Sequence, residues 1–252
     1  ATFFYLLAFY IFLIFLKPDK EGFSKLRTPF FSFSLLIILF LGIATKEIVA
    51  SFPLIVIVYL WLETPSEKKK SLIPKFIFII FLFLIFLGYR YFEQGNLFSI
   101  KADPDSTNTH HLLYLLSQIK VIVGYYLLKL LAPFNLNFEP DIVLYSNWFH
   151  WDWVISLTIL LITGIIIFKQ QSKLIKFGAL WFLITLLPTS SFIPLKQLAT
   201  EHRTYLPGLG FSLVLGWVIL NIKNYQKMAK LLFLIFILLS STLTLNRSLD
   251  FR

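Results

Sequence analysis

Long apolar runs dominate this sequence and limit what it can fold into. Each approaches the roughly 20 apolar residues that cross a bilayer as a helix. Phe, Leu and Ile fill the runs without the alternation typical of barrel strands, which favours helices whose backbone polar groups bond internally. The sequence therefore predicts an all-α, polytopic transmembrane helical bundle. The eight predicted spans lie at about residues 1 to 16, 30 to 45, 47 to 63, 76 to 92, 150 to 168, 174 to 190, 204 to 221 and 231 to 246.

The composition excludes a water-soluble globule. Of the 252 residues, 58% are hydrophobic and 14% charged, whereas a soluble domain is about half apolar and about a quarter charged. The net charge of +10 could indicate nucleic acid, but the basic residues stand in short clusters between apolar runs, as in cytoplasmic loops. We expect membrane lipid, and no nucleic acid, as a partner. Since the chain has no cysteine, disulfide and thiolate chemistry are excluded.

A further apolar stretch, at about 112 to 132, is interrupted by Gln118, Lys120 and Lys129. It either spans the membrane or lies in the interface. If it does not span, four loops that hold most of the Lys and Arg residues all face the cytoplasm, as the positive-inside rule requires. We therefore predict one interfacial helix here. The four loops are 17 to 29, 64 to 75, 169 to 176 and 222 to 230.

We expect one membrane domain over residues 1–246, with an outer loop and interfacial region at 93–149. The chain begins with Ala inside an apolar run, with no basic region or cleavage site before it. We expect it to be an N-terminally truncated fragment, and residues 247–252 to begin a missing C-terminal region.

This topology gathers the unusual polar residues on the extracytoplasmic side, and that convergence is the main functional clue. In ATKEIVASFP, Lys46 and Glu47 separate two apolar runs with almost no loop. Either this is a tight hairpin turn whose Lys reaches the headgroups, or Lys46 offers a cation to a lipid phosphate and Glu47 orients a neighbour or serves as a polar ligand.

Asp103, Asp105, His110 and His111 stand close together in an outer loop. They could supply oxygen and nitrogen ligands to a divalent cation, the one cofactor that the sequence suggests, but their spacing matches no established metal motif. The alternative is ordinary turn chemistry, with Thr109 capping the next helix.

The stretch at 133 to 153 is rich in aromatics and proline. Trp148 and Trp151 fit an interfacial aromatic belt. The alternative is a surface for the acceptor or the sugar, because aromatic faces also stack on sugar rings; Glu139 and Asp141 would be its polar members.

TEHRTYLPGLG, at 200 to 210, sets Glu201, His202 and Arg203 before a long apolar run. Arginine can bind phosphate oxygens with two parallel hydrogen bonds and suits a partly buried anion site. The alternative is an ion pair between Glu201 and Arg203 that only holds the loop.

Three segments in consistent order resemble the transmembrane and tetratricopeptide-repeat (TMTC) O-mannosyltransferase family and its bacterial relatives. They are ATKEIVASFPLIVIVYLW, YYLLKLLAPFNLNFEPD and ALWFLITLLPTSSFIPLKQLATEHRTYLPGLGFSLVLG. The third is similar to the family's WFL…LLP-S-N-IP run and AER-YLP stretch, although His202 intervenes between the expected Glu-Arg neighbours. The matching residues are Trp181, Pro188, Ser190, Ile193, Pro194, Glu201, Arg203, Tyr205, Leu206 and Pro207.

The resemblance implies a GT-C class glycosyltransferase that uses a polyprenyl-phosphate sugar donor outside the cytoplasm. The enzyme would lie in a bacterial inner membrane or the endoplasmic reticulum, and the acceptor would be a protein or a glycan. The family's acidic catalytic motif lies in a first outer loop that this chain lacks, and its tetratricopeptide repeats would follow the last span. The residues expected to bind the donor lipid phosphate are Arg203, Lys46, Glu201, Glu47, Tyr205 and His202.

Two other kinds of protein stay open. A transporter or lipid flippase commonly buries polar residues mid-span, whereas the charges here line one predicted membrane face. An O-antigen ligase or polymerase also uses a lipid-linked sugar, but the Lys46–Glu47 turn and the WFLITLLP run fit it less well.

Overall fold

Every element of regular secondary structure in the part of the chain that the computed structural model describes is a helix. Contacts divide the chain into two compact units, Ala1–Lys101 with Ile184–Thr189, and Ala102–Leu183 with Ser190–Arg252. The expectation of one membrane domain over 1–246 stays a prediction. The described residues are 1–16, 24–65, 111–134, 140–191, 197–221 and 226–250, and the single residues 67, 70, 77, 137 and 195.

The helices lie where the apolar runs predict them, except that the run at 76 to 92 falls outside the described residues apart from residue 77. Short 3₁₀ turns, Glu47–Ser51 and Glu201–Thr204, lead directly into two of the helices. The helices are α1 (Thr2–Leu16), α2 (Ser24–Thr45), α3 (Phe52–Glu63), α4 (His111–Leu131), α5 (Trp151–Lys169), α6 (Lys173–Leu186), α7 (Tyr205–Asn221) and α8 (Gln226–Asp250).

Three helical segments, His111–Leu131, Trp151–Lys169 and Glu201–Asn221, are long and apolar enough to cross a membrane. They indicate a membrane protein. The number of spans stays a prediction, because the other apolar helices are shorter. These are Thr2–Ile14, Phe33–Thr45, Ile48–Glu63 and Leu231–Leu243.

Helix α6 is shorter than the run at 174 to 190 predicts. Its 14 residues extend about 21 Å, less than the roughly 30 Å of a bilayer core. The helix ends just before Pro188, which lacks a backbone N–H and disfavours helical backbone at the residue before it. The chain then turns, and the Thr189 amide donates to the Leu186 carbonyl.

In the first unit, α1 packs against α2 and the start of α3. The hydroxyls of Tyr5 and Ser51 are 3.1 Å apart, and Ser51 donates to the Ile48 carbonyl. Tyr5 is therefore the donor of this buried bond. Its ring meets that of Phe52 edge to face at 5.4 Å, and Gly42 of α2 lies against Phe4 of α1.

The Lys46–Glu47 turn is as tight as the sequence predicts. Helix α2 ends at Thr45, and the Lys46 amide donates to the Gly42 carbonyl at 3.1 Å. Lys46 itself has extended backbone, and the next residue already begins the 3₁₀ turn. A single extended residue, Lys46, thus separates helix α2 from the 3₁₀ turn.

In the second unit, α6 and α7 cross at two glycines. Gly178 of α6 and Gly210 of α7 approach each other so closely that a Cβ on either would meet the other's carbonyl oxygen. The same crossing is fixed by a hydrogen bond of 2.9 Å from the buried Trp181 indole to the Leu206 carbonyl. The two glycines therefore allow the short distance between α6 and α7, and the Trp181 indole fixes how the two helices are aligned along each other.

We predict that Gly210→Ala destabilises the protein by about 1 to 3 kcal/mol, the usual cost of overpacking. The added methyl group would meet backbone atoms, with the Phe182 amide nitrogen 2.7 Å away, and backbone cannot move aside cheaply. Gly164→Ala in α5 is the matched control, since its Cβ would have no neighbour within 4 Å, and helix propensity then favours alanine. Thermal unfolding in detergent measures both; equal melting temperatures would contradict the prediction.

Candidate functional site

Arg203 lies in the 3₁₀ turn before α7 and is only 6% exposed. Its guanidinium donates to two carbonyls of the preceding loop, through Nη2 to Gln197 at 2.9 Å and through Nη1 to Leu198 at 3.3 Å. Its amide donates to the Thr200 carbonyl at 3.2 Å. The cation is therefore held in one orientation by the backbone of its own loop.

Helix α4 holds the same loop from another side. The fully buried Gln118 donates its amide N–H to the Leu198 carbonyl at 2.8 Å, so this one oxygen accepts from both Gln118 and Arg203. The hydroxyl of Tyr126 accepts from the Thr200 amide at 3.5 Å. We call Gln118, Tyr126 and Arg203 the loop clamp.

A π-helical segment, Ile122–Leu127, lies within α4. It places two consecutive tyrosines, Tyr125 and Tyr126, in buried positions, with their rings edge to face at 5.7 Å. Tyr125 donates to the Asn137 carbonyl at 2.9 Å, while Tyr126 belongs to the loop clamp. Such segments often occur at functional sites, and this one joins α4 to two separate loops.

A second polar cluster lies between α4 and the start of α5. Lys120 Nζ is 2.9 Å from Asp152 Oδ2 and lies over the Tyr145 ring, 5.4 Å from its centroid. The Tyr145 ring stacks on His150 with centroids 4.3 Å apart, and the Tyr145 amide donates to Ser117 Oγ at 3.1 Å. We call Lys120, Tyr145, His150 and Asp152 the Lys120 cluster.

The electrostatics of this cluster favour a neutral phenol between paired charges. Burial raises the pKa of Tyr145, and the Lys120 ammonium only partly opposes that rise. Because an ordinary tyrosine titrates near pH 10, Tyr145 stays protonated at neutral pH. Asp152 also stands in the first turn of α5, where the helix dipole favours a carboxylate.

The predicted phosphate residues fall into both units. Arg203 is buried, Glu201 and His202 are half-buried, and Tyr205 is 74% exposed. Lys46, half-buried, belongs to the first unit. Glu47 opens its 3₁₀ turn. Their joint role in binding a lipid phosphate stays a prediction.

Three of the four residues predicted to form the sugar surface lie in the described part of the structure. Trp148 is 51% and Trp151 67% exposed, and Asp141 is also exposed. The indole of Trp153 donates to the Trp148 carbonyl at 3.1 Å, which orients the loop at the start of α5. Glu139 lies outside the described residues.

The predicted metal ligands are mostly outside the described residues, which include none of Asp103, Asp105 and His110. His111 is exposed at the start of α4. Within the described part of the chain, no three His, Cys, Asp or Glu residues come together as a metal site would require.

Sequence reasoning missed the binding partners on α4. Gln118 and Lys120 interrupt an apolar run, and in the sequence this interruption bears only on whether the segment spans the membrane or lies in the interface. Polar residues at such positions in a membrane protein usually have a partner, and the partners here are Leu198 and Asp152.

No protein-family model, curated protein or solved structure matches this chain. The resemblance to the TMTC family therefore rests on the three quoted segments alone.

We predict that Lys120 and Asp152 are energetically coupled, weakly because both side chains are partly exposed. Their side chains are 38% and 54% exposed, so the coupling should decrease as salt is added. A double-mutant cycle with Lys120→Met and Asp152→Asn, read by thermal unfolding in low-salt detergent solution, measures it.

Lys169 supplies the matched control cycle, because it stands at the other end of α5, about 26 Å from Asp152 along the helix. Coupling in the Lys169→Met cycle should be near zero. Equal coupling in the two cycles would show that the Lys120–Asp152 contact contributes nothing specific.

Proposed function

We propose that this chain is the membrane domain of a multi-pass glycosyltransferase. It moves a hexose, mannose or a similar sugar, from a polyprenyl-phosphate carrier to a protein or glycan acceptor on the extracytoplasmic side. The ordered resemblance of three segments to the TMTC family supports the enzyme class. The surroundings of Arg203 support the kind of substrate.

One observation carries the proposal: a buried guanidinium stands at the start of Glu201–Asn221, a segment long and apolar enough to cross a membrane. A polyprenyl phosphate has the complementary form, since a long apolar tail ends in an anionic head. The tail suits the lipid-facing surface of such a helix, and the head suits a cation at its end. Arginine fits this role because it is more weakly hydrated than lysine and binds phosphate in a fixed geometry.

The reaction places new negative charge where Arg203 would lie. In an inverting transfer, the acceptor oxygen attacks the anomeric carbon while the bond from that carbon to the phosphate oxygen breaks. The carrier phosphate leaves with the bonding electrons, and a base accepts the acceptor's hydroxyl proton. A cation held beforehand beside the departing phosphate stabilises that transition state more than the ground state.

The loop clamp gives Arg203 the required rigidity. Two backbone carbonyls fix the guanidinium, and Gln118 fixes one of those carbonyls from α4. Glu201 and His202, the other ionisable residues of the same turn, would adjust the local charge.

We predict that Arg203→Ala lowers kcat by about 10²- to 10³-fold, the usual effect of removing one preorganised donor from a developing anion. Arg203→Lys should lose less, because the charge is kept and only the fixed fork of N–H donors is lost. The assay follows labelled hexose from a polyprenyl-phosphate donor into acceptor in membranes that contain the full-length protein.

The control is Lys169→Ala, which removes an exposed cation at the end of α5 and should leave turnover unchanged. Because Arg203 also holds its loop, protein abundance and melting temperature are measured for every variant. Full turnover in a well-folded Arg203→Ala protein would remove Arg203 from the mechanism.

A further inference from the structure

Three deeply buried side chains beside the loop clamp carry oxygen atoms that find no hydrogen-bond partner among the described residues. They are Oε1 of Gln118, the hydroxyl of Tyr114 and Oγ1 of Thr200. The side chains are 0%, 2% and 0% exposed, respectively. Buried polar atoms are almost always paired, so three unpaired oxygens in one place indicate a ligand.

The three side chains belong to one neighbourhood, because each is linked to a member of the loop clamp. Tyr114 and Gln118 are one helical turn apart, so they share a face of α4. The Tyr114 hydroxyl lies beside the Gln118 side chain and the Leu195 backbone without reaching the geometry of a hydrogen bond, and it interacts electrostatically with Arg203. Thr200 is bonded to two members of the loop clamp: its amide donates to the Tyr126 hydroxyl, and its carbonyl accepts from the Arg203 amide.

The donors and acceptors in this neighbourhood specify what a ligand must offer. The side-chain amide of Gln118 donates its N–H to the Leu198 carbonyl. Its oxygen is an acceptor, so the ligand must bring a donor to that oxygen. The Tyr114 and Thr200 hydroxyls can do either. Arg203 only donates, so the ligand part beside it must be an acceptor, and the charge favours an anion.

We propose that Gln118, Tyr114 and Thr200 bind the hydroxyl groups of the hexose, while Arg203 binds the adjoining phosphate. This inference rests on the proposed function and adds the sugar-recognising residues to it. A sugar phosphate carries donors and an anion side by side, whereas the bare carrier phosphate offers almost only acceptors. The site therefore distinguishes the loaded carrier from the spent one.

The oxygens are buried in this conformation, so a ligand reaches them only when part of the surrounding structure moves. The contact between Thr200 and Tyr126 is the longest hydrogen bond of the loop clamp, at 3.5 Å, against 2.8 Å for Gln118 with Leu198. The bond from the Thr200 amide to Tyr126 is therefore the weakest hydrogen bond of the loop clamp.

The test compares two soluble probes, citronellyl phosphate and citronellyl phosphate mannose, for binding to the full-length protein in nanodiscs. Wild type should bind the mannose form more tightly. Tyr114→Phe and Thr200→Val each remove one unpaired oxygen and keep the shape of the side chain. Each should weaken binding of the mannose form about three- to tenfold, the value of one net hydrogen bond, and leave the bare phosphate unchanged.

Two variants at other hydroxyls are the matched controls. Thr158 is exposed on α5, where its hydroxyl donates to the Val154 carbonyl, and Tyr10 of α1 is 61% exposed. Thr158→Val and Tyr10→Phe should leave the binding of both probes as in wild type.

The outcomes separate this inference from the proposed function. If wild type binds both probes and neither Tyr114→Phe nor Thr200→Val changes that binding, the oxygens do not contact the sugar, and this inference alone is overturned. The melting temperatures of the two variants would then equal or exceed that of wild type. If either variant weakens only the mannose form, the inference is supported. If wild type binds neither probe, the proposed function fails and the inference fails with it.

Discussion

The carbonyl oxygen of Leu198 is the point on which the candidate site depends. It accepts hydrogen bonds from Gln118 on α4 and from Arg203 before α7, so both of its lone pairs are used. In a protein surrounded by lipid, a buried amide or guanidinium without such an acceptor is costly. One backbone oxygen thus satisfies two buried donors and, by doing so, joins two helices that are far apart in the sequence.

The positions of the helices could be predicted from the sequence because hydropathy is a local property. Apolar runs alone locate α5 and α7, and the short connection at Lys46 follows from two apolar runs with almost no residues between them. The end of α6 was placed too late, at residue 190 instead of Leu186. The apolar run continues only to Leu187, and Pro188 removes the backbone donor that a longer helix needs.

The candidate site was predictable only where its residues are neighbours in the sequence. One turn of the sequence holds three consecutive ionisable residues, Glu201, His202 and Arg203, and they are visible without a structure. The Gln118–Leu198 hydrogen bond joins residues 80 positions apart, and no local sequence pattern predicts such a pair. Lys120 shows the consequence. Its charge argued for the interface, yet it forms an ion pair with Asp152, and pairing lowers the cost of a charge at membrane depth. Lys120 alone therefore does not decide where α4 lies.

The packing of α6 against α7 explains why Arg203 can be held more firmly than a loop residue usually is. Trp181 bonds the Leu206 carbonyl, and Gly178 lets Gly210 approach to backbone contact. These two contacts fix the first turns of α7, which begin directly after the 3₁₀ turn that carries Arg203. The cation is thus held by α6 through the helix that follows it and by α4 through Leu198. Binding groups supported by packed helices in this way keep their geometry better than groups on an unsupported loop, as an anion site requires.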